Sequence, residues 1–314
     1  AMGYGPIPEE PYSLRLLYDY LVCGYNFLET AAMYCMGRSE KMIGKVLAHR
    51  RHEFTLASNC GIFKNAAGET ETNGRPEVLQ QTCEDSLTRL NTDVIDLYYL
   101  HRIDPNVPVE ESVGALSRLV EQGKIQGIGL SEVSSDSLQR AHAVHPILAL
   151  QSEYSLWSRT PERKVLQTCR DLGVTFVAFS PLGRQFLTGQ ASDTRSLDKQ
   201  TDYENFRATI ARPRFEPHNF AQNVKLLKPF AKIAERQGCT MAQLSLAWLL
   251  AKGEDIIPIP GTSNIEHMQE NAVAGDIELS AAVVAELDEL INEDTVAGTR
   301  YTTALMQSVD SERD

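Results

Sequence analysis

The chain has 314 residues, 42% apolar and 23% charged, and a formal net charge of -12. This balance excludes a disordered or fibrous polymer, and the acidic excess argues against the basic face that nucleic-acid binding needs. The best apolar run, residues 244–251, falls short of the roughly 18 residues of a membrane span.

In chain order, short apolar runs at 26–29, 54–59, 95–101, 126–131, 147–151, 174–180 and 255–260 predict strands. Most are continuously apolar, as strands covered on both faces should be. Stretches of helical period lie between them. One carries Leu79, Cys83, Leu87 and Leu90 behind Pro76, which suits a first helical turn. The next carries Val109, Val113, Leu116 and Val120 and stops at Gly123. Thr240-Met241-Ala242-Gln243 reads as a capping box ahead of 244–251. The acidic stretch 276–294 reads as one amphipathic helix with a solvated acidic face.

Seven strands alternating with helices predict an α/β chain, a single-domain (β/α)8 TIM barrel over residues 1–314. Its eighth strand is expected ahead of Glu9, around Met2-Gly3. Residues 187–223, polar but carrying Phe206, Phe215 and Phe220, read as a lid or substrate loop.

Several chemistries lack their motifs. Gly3-Tyr4-Gly5 and Gly127-Ile128-Gly129 both miss the third glycine of a dinucleotide fingerprint. No Walker loop, H-E-x-x-H or C-x-x-C occurs, and Gly129-Leu130-Ser131 lacks the second glycine of a nucleophile elbow. Cysteines 23, 35, 60, 83, 169 and 239 are irregularly spaced, which suits reduced thiols in a cytoplasmic protein. No leader of basic then apolar residues is read, and no metal site is expected.

A barrel builds its active site at the C-terminal ends of its strands. Those ends read Glu29, Asn59, His101, Ser131, Gln151, Ser180 and Gly261. The segments around them resemble the aldo-keto reductases, in that family's order and over nearly the whole chain. They are Gly24-Tyr25-Asn26-Phe27-Leu28-Glu29-Thr30-Ala31 through Tyr34, Leu100-His101-Arg102-Ile103-Asp104-Pro105 and Gly127-Ile128-Gly129-Leu130-Ser131-Glu132-Val133-Ser134. Gln151-Ser152-Glu153-Tyr154-Ser155-Leu156-Trp157, Ser180-Pro181-Leu182-Gly183-Arg184 and Ile259-Pro260-Gly261-Thr262 through Glu270-Asn271 complete the set. The likeness is strongest to the bacterial and plant branch that uses NADPH.

The resemblance implies a hydride exchanged between NADP(H) and a small-molecule carbonyl or alcohol; Ser263-Asn264-Ile265-Glu266-His267, where NADPH-selective relatives carry Lys or Arg, predicts a weakened NADPH preference with NAD(H) use alongside. It implies Tyr34 as proton donor and His101 as the residue orienting the carbonyl. Glu29 stands where the family has aspartate and Asn59 where it has lysine. An amide cannot supply the cation that favours tyrosinate, so the donor site is expected to be atypical. For the cofactor the resemblance implies Ser131, Glu132 and Gln151 at the carboxamide and Phe179 stacked on the nicotinamide. Ser180, Leu182, Gly183 and Arg184 fall along the pyrophosphate. Gly261, Thr262, Ser263 and His267 fall at the phosphate end, with Glu270 and Asn271 at the adenine. Cys35, Cys60 and Trp157 are implied at the substrate pocket, with Trp157 read equally well as a barrel cap. Arg102 and Asp104 read as braces of their loop. A lyase or isomerase, or a non-catalytic binding protein on the same barrel, are the alternatives. Oligomeric state is not legible.

Overall fold

Strands and helices alternate along the computed structural model, which describes residues 10–64, 70–190 and 212–314. The strands are β1 (Phe27–Glu29), β2 (Thr55–Cys60), β3 (Ile62–Lys64), β4 (Thr70–Thr72), β5 (Ile95–Leu100), β6 (Ile125–Ser131), β7 (Ile147–Glu153), β8 (Thr175–Phe179) and β9 (Ile256–Pro258). Seven of them form one parallel sheet in the order β1-β2-β5-β6-β7-β8-β9. Each matches one predicted run to within two residues. The antiparallel β3–β4 hairpin is additional and was not expected, because three-residue strands carry too little pattern to read.

Helices α1 (Glu10–Val22), α2 (Arg38–Leu47), α3 (Pro76–Leu90), α4 (Val109–Glu121), α5 (Ser135–Val144) and α6 (Val165–Leu172) connect the strands. The longer helices Pro217–Arg236 and Met241–Ala251 precede β9. Pro76 opens α3, and Leu79, Cys83 and Leu90 turn inward at helical spacing. The capping box forms as read: Thr240 Oγ1 accepts from Gln243 N at 3.2 Å, and Gln243 Oε1 accepts from Thr240 N at 3.0 Å.

Two readings change. The stretch 276–294 is not one helix. A 3-10 turn ends at Asp276, and a separate helix, Ala281–Leu290, starts behind the Ser280 cap. Residues 217–223, expected in a loop, open the helix Pro217–Arg236 because Pro217 occupies its first turn. The rest of the expected lid, 191–211, lies outside the described residues, as does the expected eighth strand ahead of Glu9.

The continuous apolar runs hide two cores. Ala57, Leu97, Tyr99, Ala149 and Val177, with Phe27 and Ile259 packed against them, form a small cluster on the inner face of the curled sheet. The residues between them, such as Leu56, Tyr98, Leu100 and Leu150, join the larger cluster shared with the helices. Side chains alternate across a strand, so one parity faces the lumen and the other the helices. At the sheet's ends, the outward Phe27 carbonyl accepts from the Tyr20 hydroxyl. On β9, Ile259 N donates to Ala178 O, which turns Pro258, with no N–H to offer, toward the open edge.

Candidate active site

The lumen parity decides which side chains meet. Two residues above Phe27 is Glu29, above Ala57 is Asn59, above Ala149 is Gln151, and Phe179 follows Val177. Register pairs Glu29 with Ala57, Asn59 with Tyr99, Ser131 with Gln151 and Gln151 with Val177. Glu29, Asn59, Tyr99, His101, Ser131, Gln151 and Phe179 therefore crown the inner cluster at the C-terminal strand ends. Gly129 clears the way for Tyr99, since a Cβ there would meet the Tyr99 ring at 2.4 Å.

Asn59, 1% exposed, takes the place in which the resemblance implies a lysine. Its Nδ2 donates to Glu29 Oε1 at 2.5 Å and to the Thr30 carbonyl at 2.7 Å. Its Oδ1 is buried with no partner among the described residues. Gln151 Nε2 and the Tyr99 hydroxyl, on the same layer, also lack a partner. Burial pushes the Glu29 carboxyl above the usual carboxylate range, against the hydrogen bond from Asn59 that favours the ionised form.

Tyr34 opens a 3-10 turn directly after β1 whose next residues take left-handed conformations, Cys35 at φ 49° and Met36 at φ 54°. Non-glycine residues there are strained, and such strain persists where the surroundings over-determine it. Gly37 follows at φ 80°, and a Cβ on it would meet the Arg89 side chain at 2.7 Å. The turn presents Tyr34 edge-on to His101, with ring centroids 6.1 Å apart.

Burial, and the nearby Arg102 charge, lower the His101 imidazole to about 3, so it is neutral at physiological pH. The unfolded chain takes up a proton near 6.5 that the folded one refuses until about 3, so folding stability rises with pH through that window. His101→Gln removes this dependence. The wild-type advantage in unfolding free energy is expected to grow by about 2 kcal/mol from about pH 5 to about pH 7.5. Denaturant titration at both values reads it, and an advantage that does not change with pH would contradict the neutral imidazole.

Beyond this layer the charged residues turn inward on each other. Glu132, at φ 55°, is bound by Arg300 at 2.5 and 3.0 Å and by the Ser311 hydroxyl at 2.6 Å. Burial alone would raise its carboxyl; Arg300 and Ser311 hold it down at about 2. Arg184 clasps Glu153 in a bidentate pair at 2.6 and 3.0 Å, both side chains buried. The carboxylates of Asp310 and Asp314 accept from Ser134 N and Ser135 N at the start of α5, fixing the chain's last residues there. Arg102 donates to Ser131 Oγ at 3.0 Å, and Asp104 accepts from Gly74 N and Asn106 N, bracing their loop as read.

The loop after β8 holds Ser180, Gly183, Arg184 and Gln185 all at positive φ. A Cβ at Gly183 would meet the Trp157 indole nitrogen at 2.6 Å. Trp157 is buried, stacked on Phe186 at 4.3 Å and edge-on to Phe215. Cys60 has the opposite parity to Asn59, so the structure places it in the helix-side core with Cys83, its thiol toward the Tyr99 carbonyl. Cys35 sits half-buried in the Tyr34 turn. A cavity of about 450 Å³ brings Glu29 together with Gly261, Thr262 and Asn271. Past it, Asn264 Oδ1 accepts from Glu266 N and His267 N, capping the helix Ile265–Ala272. Ser263 is exposed, and Gln243 Nε2 donates to the Glu270 carbonyl.

The Aldo/keto reductase family model matches residues 2–292. The chain belongs to the aldo/keto reductase family. It is 39% identical over 283 residues to a probable aldo-keto reductase 1 of Glycine max, covering 90% of this chain and 80% of that one. Among solved structures, the thermostable aldo-keto reductase Tm1743 in complex with the inhibitor epalrestat is 30% identical with a TM-score of 0.72, each chain covered to 92%. An aldo-keto reductase of Klebsiella pneumoniae in complex with NADPH is 26% identical with a TM-score of 0.70, over 94% of this chain and 89% of that one. The seven parallel strands are thus those of a (β/α)8 barrel.

In this reductase-family chain, sequence reasoning missed three residues of the crown and its support. Tyr99 was legible in principle, since Leu97 and Tyr99 share the parity of Ala57 and Asn59 once register is known. Glu153 stood in a quoted segment without a role. Arg300 carried no local signal, because its partner Glu132 lies 168 residues earlier.

Proposed function

We propose that the chain transfers a hydride between NAD(P)H and a small carbonyl or alcohol, with a proton-donor site altered from that of its family. The observation that carries this is the set of buried polar atoms without partners, Gln151 Nε2, Asn59 Oδ1 and the Tyr99 hydroxyl, gathered on one lumen layer. Buried polar groups are ordinarily satisfied, so such a cluster suits a polar guest. Gln151 Nε2 is a donor suited to a carboxamide oxygen, with the Ser131 hydroxyl beside it in register. The NADPH complex of the Klebsiella pneumoniae relative supports the same reading. Bound there, a reduced nicotinamide supplies the hydride.

On this reading Gln151 and Ser131 hold the carboxamide and Phe179 flanks the ring, its aromatic face closing the lumen side. Tyr34 and His101 border the carbonyl. His101, neutral, donates or accepts one hydrogen bond and so orients the substrate without contributing charge. Ser180, Leu182 and Gly183 offer the strained loop to the pyrophosphate. Arg184 shapes that loop through Glu153, and Glu132 positions Ser131 through Arg300 and the chain's last residues. Gly261, Thr262, Ser263, Glu270 and Asn271 border the adenosine end, while Trp157 and Cys35 border the substrate side. The protein works in the cytoplasm on this reading, consistent with six free thiols.

From Gly261 to Asn271 the only basic side chain is His267, and Glu266 precedes it. A 2′-phosphate gains little there, so NADPH and NADH are expected to bind with constants within about a hundredfold, a window of about 2.7 kcal/mol. Fluorescence titration of the purified protein with each nucleotide tests this. Saturation by either supports the hydride reading. No binding of either at millimolar concentration overturns it, and a larger NADPH preference overturns the account of the phosphate end.

A further inference from the structure

Ser131 ends β6 beside His101, because the last register pair below them joins Leu100 to Leu130. Arg102, the next residue on the β5 side, reaches back to this point. Its Nη1 donates to the His101 carbonyl at 2.6 Å and to Ser131 Oγ at 3.0 Å. A hydroxyl carries one proton and two lone pairs. With a guanidinium N–H on one lone pair, the Ser131 proton turns away from Arg102, and no group among the described residues accepts it. Gln151, the register partner of Ser131 on β7, is buried, and its Nε2 likewise has no partner among the described residues. We propose that Arg102 is a positioning residue: its bond to Ser131 fixes that hydroxyl as a donor, so that Ser131 and Gln151 together select the carboxamide oxygen of the nicotinamide. This rests on the hydride reading above.

An unaided serine would not make that choice. Its hydroxyl rotates to suit a partner, and a carboxamide offers both an acceptor oxygen and a donor NH2. Ser131 is buried, so solvent does not compete for its proton. A charged donor on the oxygen also polarises the O–H, since chained hydrogen bonds strengthen one another at low dielectric. An incoming oxygen therefore meets two donors, and an incoming NH2 meets the proton of each. The loop itself does not need this bond. Asp104 already ties it to Gly74 N at 3.0 Å and to Asn106 N at 2.8 Å. One nitrogen of Arg102 thereby sets both the Ser131 hydroxyl and the main chain of His101, the residue that orients the substrate on the same reading.

Quenching of the protein's own fluorescence measures this with NADP+ and two analogues of it. The thionicotinamide form replaces the amide oxygen by sulfur, a weaker acceptor, and the 3-acetylpyridine form keeps the oxygen but lacks the NH2. The wild type is expected to bind the acetylpyridine form within about threefold of NADP+ and the thionicotinamide form about tenfold more weakly. In Arg102→Met the affinity for NADP+ should fall about tenfold and the preference for oxygen over sulfur drop below about threefold. Arg102→Lys, which keeps a charged donor, should retain most of the preference. In a Ser131→Ala background Arg102→Met should change neither quantity, whereas a mere brace of the loop would still be missed there. Unfolding midpoints confirm that each variant is folded. A wild type that binds the acetylpyridine form about tenfold more weakly than NADP+ overturns the donor assignment without recourse to any variant. An effect of Arg102→Met that survives Ser131→Ala, or a preference that does not change in Arg102→Met, overturns the positioning role. Either result leaves the hydride reading standing. A wild type that binds none of the three at millimolar concentration overturns both.

Discussion

Asn59→Lys together with Glu29→Asp is expected to raise reduction of a simple aldehyde by about a hundredfold or more. A lysine at position 59 projects into the lumen layer, because that position shares the parity of Ala57. An ammonium there favours the tyrosinate, and the shorter aspartate pairs with it. Two pKa units of such help correspond to about 2.7 kcal/mol, which is the hundredfold. Tyr34 then serves as the proton donor. Tyr34→Phe should abolish the gain in the double variant. A double variant that gains nothing while remaining folded, or whose gain survives Tyr34→Phe, would show that the lumen charge does not govern this donor. Steady-state rates with unfolding midpoints as a control decide it.

Arg300→Met is expected to destabilise the protein by about 3–5 kcal/mol, the range for breaking a buried pair from one side. Arg300 is 5% exposed and binds a Glu132 that is 1% exposed, while also reaching Glu153 and Glu312. Methionine fills the space but leaves two buried carboxylates short of a cation. They answer by taking up protons. Glu132, held at about 2 by Arg300 in the natural chain, should then titrate well above that, so stability of the variant should recover on mild acidification. The reverse swap, Glu132→Gln with Arg300→Met, removes both charges and is expected to restore most of the loss. Equilibrium unfolding of the three proteins measures this; a loss under about 1 kcal/mol for Arg300→Met would mean the pair is solvent-screened. The same variant loosens the fixing of the chain's last residues at the start of α5, because Ser311 and Arg300 share the Glu132 carboxylate.

The first of these expectations came from the sequence and the second could not have. Glu29 and Asn59 stand at strand ends that the apolar runs delimit, within segments that resemble a known family, so their departure is visible residue by residue. The same runs placed His101, Ser131 and Gln151, and Pro76 and Thr240 marked helix starts through local chemistry that needs no distant partner. Local sterics and hydrogen bonding act over a few residues, and a linear text records them. What the runs could not tell was parity. Strands covered on both faces are apolar at every position, so nothing in Ala57-Ser58-Asn59-Cys60 says that Asn59 faces the lumen and Cys60 the helices. Nor did any pattern say that Arg184 would close on Glu153, or that Arg300 would cross 168 residues to reach Glu132. Those pairs exist because closing the sheet strips water from charges that must then find each other. Desolvation is a property of the folded volume, and only the tertiary structure assigns its partners.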